Sequence, residues 1–238
     1  MSKFSILFVL SILLGFVSCK EEHAKKKVIT ETKQEKKKVE KKIEKKLLAP
    51  EDRQYIFDSI STKNAVAFFT EYGKTHPQTR LKISTRLGDI YVRLYKDTPI
   101  HRASFLYLVD KGYYDTTCFY RIVPDFIVQG GNSDHPMTRK LRIRYNYRIP
   151  AEIKSHRKHK YGALAAARQW ENNPNKTSSP FEFYMIQDKR GSHHLDGEHT
   201  IFGEIIEGFD TMEKIAKLET DKKEWPLKEV FIKAIVLK

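Results

Sequence analysis

One arginine, Arg121, lies inside a largely apolar stretch that runs FYRIVPDFIVQGG over residues 119–131. The alternation before the Pro-Asp bend is typical of a strand that places Phe119, Arg121 and Val123 on one face. A guanidinium on an apolar strand face must find anionic or carbonyl partners, or reach solvent at a cleft. Gln129 follows the bend on a second short strand. These residue types predict the wall of an amphiphilic pocket, and a core strand with an arginine at its rim is the alternative that spacing alone leaves open.

Period-two alternation predicts the strands that must hold this arginine in place. After the bend, Phe126 and Val128 are predicted on one side of the second strand, and Ile127 and Gln129 on the other. A hairpin is predicted nearer the N-terminus, with its turn at residues 87–89. The predicted strands cover residues 81–85, 90–94, 119–123, 126–130, 161–167, 181–186 and 230–236.

Capping residues predict the helices. Thr98 is suited to be an N-cap, and Pro99 to be the first residue of the helix that follows. A second helix is predicted to open at Asp210–Glu213, which has the spacing of a reciprocal cap. A shorter helix is predicted over residues 64–72, whereas residues 132–161 are polar and basic and are predicted to be rich in loops. Many strands with two main helices predict a closed antiparallel barrel plugged by helices.

Four ordered blocks of the sequence resemble signatures of the cyclophilin family of peptidyl-prolyl isomerases. Residues 119–131 resemble F-x-R-[IV]-[IV]-x-x-F-x-x-Q-G-G, and residues 162–168 resemble G-x-L-x-M-A-[NR]. Residues 178–186 resemble S-S-x-S-Q-F-F-I-x, and residues 195–203 resemble L-D-x-x-H-x-x-F-G. The resemblance covers about residues 80–238. It implies a mainly β fold, a closed eight-stranded antiparallel barrel capped by two helices, to which the helix over residues 64–72 would be an addition.

The resemblance implies that the protein is a peptidyl-prolyl cis-trans isomerase and that Arg121 is its catalytic residue. Rotation about a peptide bond faces a barrier of ~18–20 kcal/mol because the nitrogen lone pair is delocalised into the carbonyl. A donor aimed at the prolyl nitrogen becomes stronger as that nitrogen pyramidalises, so a permanently charged guanidinium favours the twisted state. This chemistry needs no metal, cofactor, nucleophile or general base. The residues that the resemblance assigns to substrate binding are Phe126, Ile127, Gln129, Ala167, Arg168, Glu182, Tyr184, Leu195 and His199.

The sequence departs from the family pattern at several of these positions. Glu182 stands where the family has a glutamine, and its carboxylate could pair with Arg121 or Arg168. Tyr184 replaces a phenylalanine, so its hydroxyl needs a hydrogen-bond partner. His194 replaces a rim tryptophan of some members, so weaker binding of cyclosporin-like drugs is expected. None of these changes removes Arg121, and we therefore expect retained activity with a shifted peptide preference.

Other functions are open at this point. The main alternative is a module or holdase chaperone that binds proline-containing segments without catalysis, and Glu182 is the feature that favours it. His193, His194, Asp196 and His199 could form a metal cluster, but such spacing in a polar loop is more often a turn. The two basic patches lack a recognised nucleic-acid motif. We therefore predict no metal and no nucleic acid, and as partners the proline-containing segments of unfolded or exported proteins.

The first 18 residues have the features of a secretory signal: Lys3, an apolar stretch over residues 4–17, and a small residue before Cys19. The stretch is short for a membrane span, which needs about 20 apolar residues. It resembles a bacterial lipoprotein signal, which implies acylation of Cys19 and an exported protein anchored by lipid at a periplasmic or outer-membrane face. Ordinary cleavage to a soluble exported protein and an uncleaved anchor are the alternatives.

Residues 20–48 contain twelve lysines and six glutamates, part of a net charge of +14 for the chain. They contain too few apolar side chains to offset the entropy of ordering, so a disordered or partly helical tether is predicted. If Cys19 carries lipid, Cys118 has no intramolecular partner, and it is predicted to be a small, semi-buried residue. We expect a monomer. The predicted parts are a signal peptide over 1–18, a tether over 19–50, a helical appendage over 51–79 and a cyclophilin-like domain over 80–238.

Overall fold

The computed structural model describes residues 58–237, so the predicted signal peptide, Cys19, the tether and the first residues of the appendage lie outside the described residues. Within the described part, the helices are α1 (Ala65–Thr75), α2 (Pro99–Asp110), α3 (Pro136–Arg144) and α4 (Phe209–Ala216). The strands are β1 (Arg80–Thr85), β2 (Gly88–Leu94), β3 (Cys118–Val123), β4 (Ile127–Asn132), β5 (Ala163–Ala166), β6 (Phe183–Ile186), β7 (Ile201–Glu207) and β8 (Lys233–Leu237). Between residues 58 and 237 no helix is both long and apolar enough to span a membrane.

The eight strands form one antiparallel sheet in the order β3-β4-β6-β5-β7-β2-β1-β8. β3 and β8 are its edges, so the sheet is an open half-barrel, and the predicted closed barrel is wrong. An isolated bridge joins Cys118 of β3 to Phe231, which lies just before β8. Further along β3, the Ile122 N–H donates to the carbonyl of Glu224 at 2.9 Å. A loop therefore covers the part of this edge that a closed barrel would pair with a strand.

A β-bulge in β3 decides which side chains reach the outer face. Phe119 pairs with Gly130 and Arg121 pairs with Gln129, so β3 carries one extra residue, Tyr120, between the two pairs. Phe119 is fully buried in the core, whereas Arg121 is partly exposed. The prediction that Phe119 and Arg121 share a face is therefore wrong, because simple alternation does not continue through a bulge.

Two apolar clusters lie on the two faces of β4. Val128 belongs to the larger cluster, which fills the space between the sheet and the helices. Ile127, Tyr184 and Leu195 belong to a smaller cluster on the other face, and Phe126 packs against it from the turn that precedes β4. The predicted placement of Phe126 beside Val128 is thus wrong, because Phe126 precedes the strand and does not follow its alternation.

Helix α2 is capped by a residue far away in the sequence. Thr98 is the N-cap residue, but its side chain makes no capping hydrogen bond. The carboxylate of Glu152 instead accepts from the backbone N–H groups of Ile100 and His101 at 3.1 and 2.8 Å. A carboxylate at this end also complements the positive end of the helix dipole. The predicted N-cap position, Thr98, is therefore confirmed, whereas the capping hydrogen bonds come from Glu152.

The N-cap of helix α4 lies two residues before the predicted one, Asp210. The N-cap is Gly208, whose φ of 87° lies in the left-handed region that glycine adopts without strain. Asp210 is then inside the first turn, where it bonds the Lys214 ammonium at 3.1 Å. The predicted reciprocal cap between Asp210 and Glu213 is therefore absent from this helix.

Helix α3 lies in the stretch that was predicted to be rich in loops. Pro136 occupies its first turn, and the His135 Nδ1 accepts from the Met137 N–H at 3.2 Å. Only Thr138 and Leu141 are buried in this helix. Two buried positions do not produce a visible 3.6-residue apolar period, which is why the sequence pattern missed the helix. The described residues thus contain four helices, one more than predicted.

Helix α1 is part of the packed domain. Phe69 is fully buried in the main core. Arg102 of α2 is itself buried and donates to three carbonyls at the end of α1 and just beyond it. These carbonyls belong to Gly73, His76 and Gln78, at 3.2, 2.7 and 3.2 Å. A buried cation is costly unless it is hydrogen-bonded, so this contact ties the N-terminal helix to the sheet domain.

Candidate active site

A cavity of about 390 Å³ is lined by side chains from β3, β4 and β6 and from the loops after β5 and β6. Nine of the ten residues predicted for catalysis and substrate binding lie together in its lining, and Glu182 does not. The nine are Arg121, Phe126, Ile127, Gln129, Ala167, Arg168, Tyr184, Leu195 and His199, and Trp170 and His194 complete the lining.

The guanidinium of Arg121 is fixed through its Nε–H. Its Nε donates to Oε2 of Glu224 at 2.6 Å, and its Nη1 lies 3.5 Å from Oε1 of Gln129. The Gln129 amide in turn donates to the hydroxyl of Tyr120. With Nε occupied by Glu224, the terminal nitrogens of Arg121 are the donors available to a ligand in the cavity.

A row of three hydrogen-bonded polar side chains, Tyr184, His159 and Asp196, lies beneath the floor of the cavity. The Tyr184 hydroxyl lies 3.2 Å from Nε2 of His159, and Nδ1 of the same ring lies 2.9 Å from Oδ1 of Asp196. His159 is fully buried, and burial lowers its pKa against the opposing effect of Asp196. Burial acts to raise the pKa of Asp196, but hydrogen bonds from His159 and His193 hold it at about 2. His159 is thus the hydrogen-bond partner that the extra hydroxyl of Tyr184 requires, and the apolar ring of Tyr184 faces the cavity.

His199 closes another side of the cavity as a neutral ring. Its Nδ1 lies 3.1 Å from the Ala166 carbonyl, so Nδ1 carries the proton that is donated. Burial lowers the pKa of His199 to about 4, with a smaller contribution from the charge of Arg168, against the effect of the Ala166 hydrogen bond. At neutral pH the ring therefore adds no charge to the site.

This low pKa makes the fold sensitive to acid. Between about pH 6.5 and pH 4, unfolded His199 binds a proton that folded His199 does not bind, so stability falls as the pH falls through this window. The shift corresponds to a loss on the order of 3 kcal/mol. Urea unfolding of the wild type and of His199→Asn at several pH values measures it. The variant is expected to lose less stability between pH 7 and 4, and equal losses in the two proteins would contradict the assignment.

The rim of the cavity carries an aromatic residue that the sequence analysis overlooked. The Trp170 ring lies 4.2 Å from the guanidinium carbon of Arg168 and packs edge-on against His199. Arg168 is also fixed by Glu198, whose Oε2 accepts from Nη2 at 2.8 Å. Trp170 is 58% exposed, so its ring is available to a bound peptide. The one signal for it was a lone aromatic in a polar loop, directly after a signature block.

Glu182 lies beside the cavity and forms other pairs than those considered from the sequence. Its Oε1 lies 3.1 Å from Nη1 of Arg142 and accepts from the Tyr120 hydroxyl at 3.1 Å. No pair with Arg121 or Arg168 is found in the described part of the chain. Glu182 instead lines a second cavity of about 490 Å³, which shares Gln129, Ala167 and Arg168 with the first. The reason is α3, which brings Arg142 to the carboxylate and which the sequence pattern did not reveal.

The residues that could have formed a metal cluster make other contacts. His193 and His159 both bond the carboxylate of Asp196, His199 bonds the Ala166 carbonyl, and His194 stacks on Phe126. Among residues 58–237, no group of three or more histidine, cysteine, aspartate or glutamate side chains is arranged to hold a metal ion.

Comparison with known proteins identifies the class to which this fold and site belong. The family model of the cyclophilin type peptidyl-prolyl cis-trans isomerases matches residues 80–236. The chain therefore belongs to this family, and its activity is peptidyl-prolyl cis-trans isomerisation.

Individual relatives carry the same name. The chain is 32% identical over 160 residues to the peptidyl-prolyl cis-trans isomerase ppi1 of Schizosaccharomyces pombe. This alignment covers 66% of this chain and 98% of that protein. It is 32% identical over 166 residues to a longer relative, the peptidyl-prolyl cis-trans isomerase-like 2 protein of Rhizopus delemar, with 69% of this chain and 30% of that protein covered. A crystal structure of a Cryptosporidium parvum cyclophilin type isomerase superposes with a TM-score of 0.57 at 27% identity, over 67% of this chain and 99% of that one.

Proposed function

We propose that Arg121 catalyses the rotation of Xaa-Pro bonds in the 390 Å³ cavity. The observation that carries this proposal is the position of the Arg121 guanidinium, fixed by Glu224, beside the apolar side chains of Phe126, Ile127 and Leu195. The proline ring would pack against Phe126, Ile127 and Leu195, while the preceding carbonyl swings in front of the arginine.

The proposed mechanism is electrostatic. As the peptide bond twists, the lone pair of the prolyl nitrogen is no longer delocalised and becomes a better hydrogen-bond acceptor. A terminal N–H of Arg121 then binds the twisted state more strongly than either planar state, which lowers the barrier. The apolar pocket excludes water and so strengthens this interaction. Neutral His199 and the concealed Tyr184 hydroxyl add no competing charge or donor at the ring.

The proposed substrates are proline-containing segments of unfolded or exported proteins. The Cryptosporidium structure was determined in the presence of the dipeptide Ala-Pro, which supports binding of short proline peptides by a cavity of this type. The second cavity shares Gln129, Ala167 and Arg168 with the first and would hold peptide residues on one side of the proline. We also propose that the protein acts as a monomer, and a dimer mass in light scattering would contradict this.

An isomerase assay separates catalysis by this cavity from binding without turnover. The full chain is tested on an Ala-Pro peptide by NMR exchange spectroscopy, which reports binding and cis-trans exchange in the same sample. Exchange between the bound cis and trans forms that is faster than in free peptide is expected. Peptide binding with no acceleration would support the non-catalytic module instead.

We also propose that the protein is exported and lipid-anchored through Cys19 at a periplasmic or outer-membrane face. The support is the signal-like sequence that precedes Cys19, followed by the lysine-rich stretch over residues 20–48. In a bacterial host given a labelled fatty acid, the full chain is expected to take up label, and Cys19→Ala is expected to take up none. Cys118→Ala is the matched control, and it should be labelled like the wild type because Cys118 is buried. Label on the Cys19→Ala chain would contradict the proposal.

A further inference from the structure

The loop that covers the open edge of β3 carries an acidic residue into contact with the proposed catalytic arginine. Asp221 organises this loop: its carboxylate accepts from the N–H groups of Lys223 and Trp225 at 2.8 and 2.9 Å. The Glu224 carbonyl accepts from the N–H of Ile122, so the loop is bonded to β3 next to Arg121. Glu224 is thus placed by backbone contacts on both sides.

The contact with Arg121 is directed at one nitrogen. Glu224 Oε2 lies 2.6 Å from Nε of Arg121, a short charge-assisted hydrogen bond. A guanidinium is planar, so fixing Nε and placing Gln129 beside Nη1 restricts rotation about the last side-chain bonds. The remaining terminal donors are then held in one orientation at the cavity.

The backbone of Glu224 indicates that this contact does more than stabilise the fold. Its φ is 65°, in the left-handed region, which costs a residue with a side chain about 1 kcal/mol or more. The side chains of Arg121 and Glu224 are 35% and 42% exposed, and ion pairs this exposed contribute little to stability. Glycine would adopt this backbone conformation without strain. A glutamate at this position therefore differs from a glycine by its strain and by the carboxylate that bonds Arg121.

We propose that Glu224 is a positioning residue for the isomerase reaction: it orients the guanidinium of Arg121 so that its terminal N–H groups face the prolyl nitrogen. The inference rests on the proposed function of Arg121. It assigns to the loop over residues 218–229 a part in catalysis that no sequence signature marks.

The test compares variants of the full chain by NMR exchange, which gives kcat and KM separately. Glu224→Ala is expected to lower kcat about tenfold and to change KM less than twofold, because the pocket that holds the proline is intact. Glu224→Gln keeps an oxygen that accepts from Nε and is expected to recover kcat to within about threefold of the wild type. Lys223→Ala, in the same turn but without contact to Arg121, is the matched control and should behave like the wild type.

A double-mutant cycle decides whether Glu224 acts through Arg121. In an Arg121→Ala background, Glu224→Ala is expected to have no further effect on kcat. Additive losses, an unchanged kcat in Glu224→Ala, or a Glu224→Gln variant as slow as Glu224→Ala would each overturn the inference. If Arg121→Ala lowers activity and Glu224→Ala does not, this inference alone fails. If Arg121→Ala has no effect, the proposed function of Arg121 fails as well.

Discussion

Arg121→Ala is expected to lower kcat/KM toward an Ala-Pro peptide on the order of 10²-fold or more, because it removes a donor that acts in the transition state. The loss should fall mainly on kcat, since the apolar residues that grip the ring are unchanged. The variant leaves Glu224 without its cation, but this carboxylate is 42% exposed and can be hydrated. The measurement is the same exchange assay, with urea unfolding to show that the fold is retained.

Two further substitutions show whether the guanidinium of Arg121 itself is required, and not any positive charge or any arginine. Arg121→Lys keeps the charge but loses the planar fork and the Nε–H, so an intermediate activity is expected. Arg80→Ala removes an exposed arginine of β1 that lines neither cavity, and activity equal to the wild type is expected. Wild-type turnover in Arg121→Ala would refute the role of this residue.

Glu152→Ala is expected to lower the free energy of unfolding by about 3–5 kcal/mol, the usual cost of breaking a buried charged contact. The substitution removes the acceptor for two N–H groups of α2 and for Nδ1 of His101, which lies 2.6 Å from Oε2. His101 would then remain buried with one ring nitrogen unpaired. Urea unfolding measures the loss, and a value below 1 kcal/mol would contradict the importance of this contact.

Asp210→Ala is the matched control for this prediction. Asp210 is likewise an acid at the positive end of a helix, here within the first turn of α4, but it is 73% exposed and bonds only Lys214 among the side chains of the described residues. An exposed pair of this kind contributes about 1 kcal/mol or less, so the control should change stability little. The contrast would show that the buried hydrogen bonds of Glu152, and not merely an acid at the start of a helix, make this residue important.

The contact between Glu152 and His101 is part of an arrangement that resembles the catalytic triad of a hydrolase. Oγ of Ser178 lies 2.9 Å from Nε2 of His101, so Ser178, His101 and Glu152 have the residue types and order of a hydrolase triad. Ser178 is 1% exposed and His101 is 3% exposed, so no substrate carbonyl can reach the hydroxyl. The arrangement therefore caps a helix and satisfies a buried ring.

The sequence predicted the family and most of the residues that line the candidate site, because both depend on local signatures. Arg121, Phe126 and Gln129 lie on one hairpin, and the other blocks form strands and loops that meet it. The face of Phe119 was predicted wrongly because an extra residue in β3 reverses the alternation, and nothing local marks that bulge. Glu152 and Glu224 were missed because each acts on a residue about 50 to 100 positions away.

The pairing of Glu182 shows the same limit. Its charge was visible in the sequence as a departure from the family pattern, and two arginines of the signature blocks were the natural candidates for a partner. The actual partner, Arg142, comes from α3, whose polar composition hides it from any periodicity. A side chain's partner depends on the whole fold, whereas a signature reports only the residues within it.

The contact between Arg102 and the end of α1 sets a limit on how far this enzyme can be trimmed. The family match begins at residue 80, but all three carbonyls that receive the Arg102 guanidinium precede that point. A fragment cut there would lose every oxygen that the described contacts give the Arg102 guanidinium, and the core residues that pack against Phe69 would be exposed to solvent. We therefore expect the shortest fragment of this isomerase that folds independently to include α1, so this helix belongs to the catalytic domain.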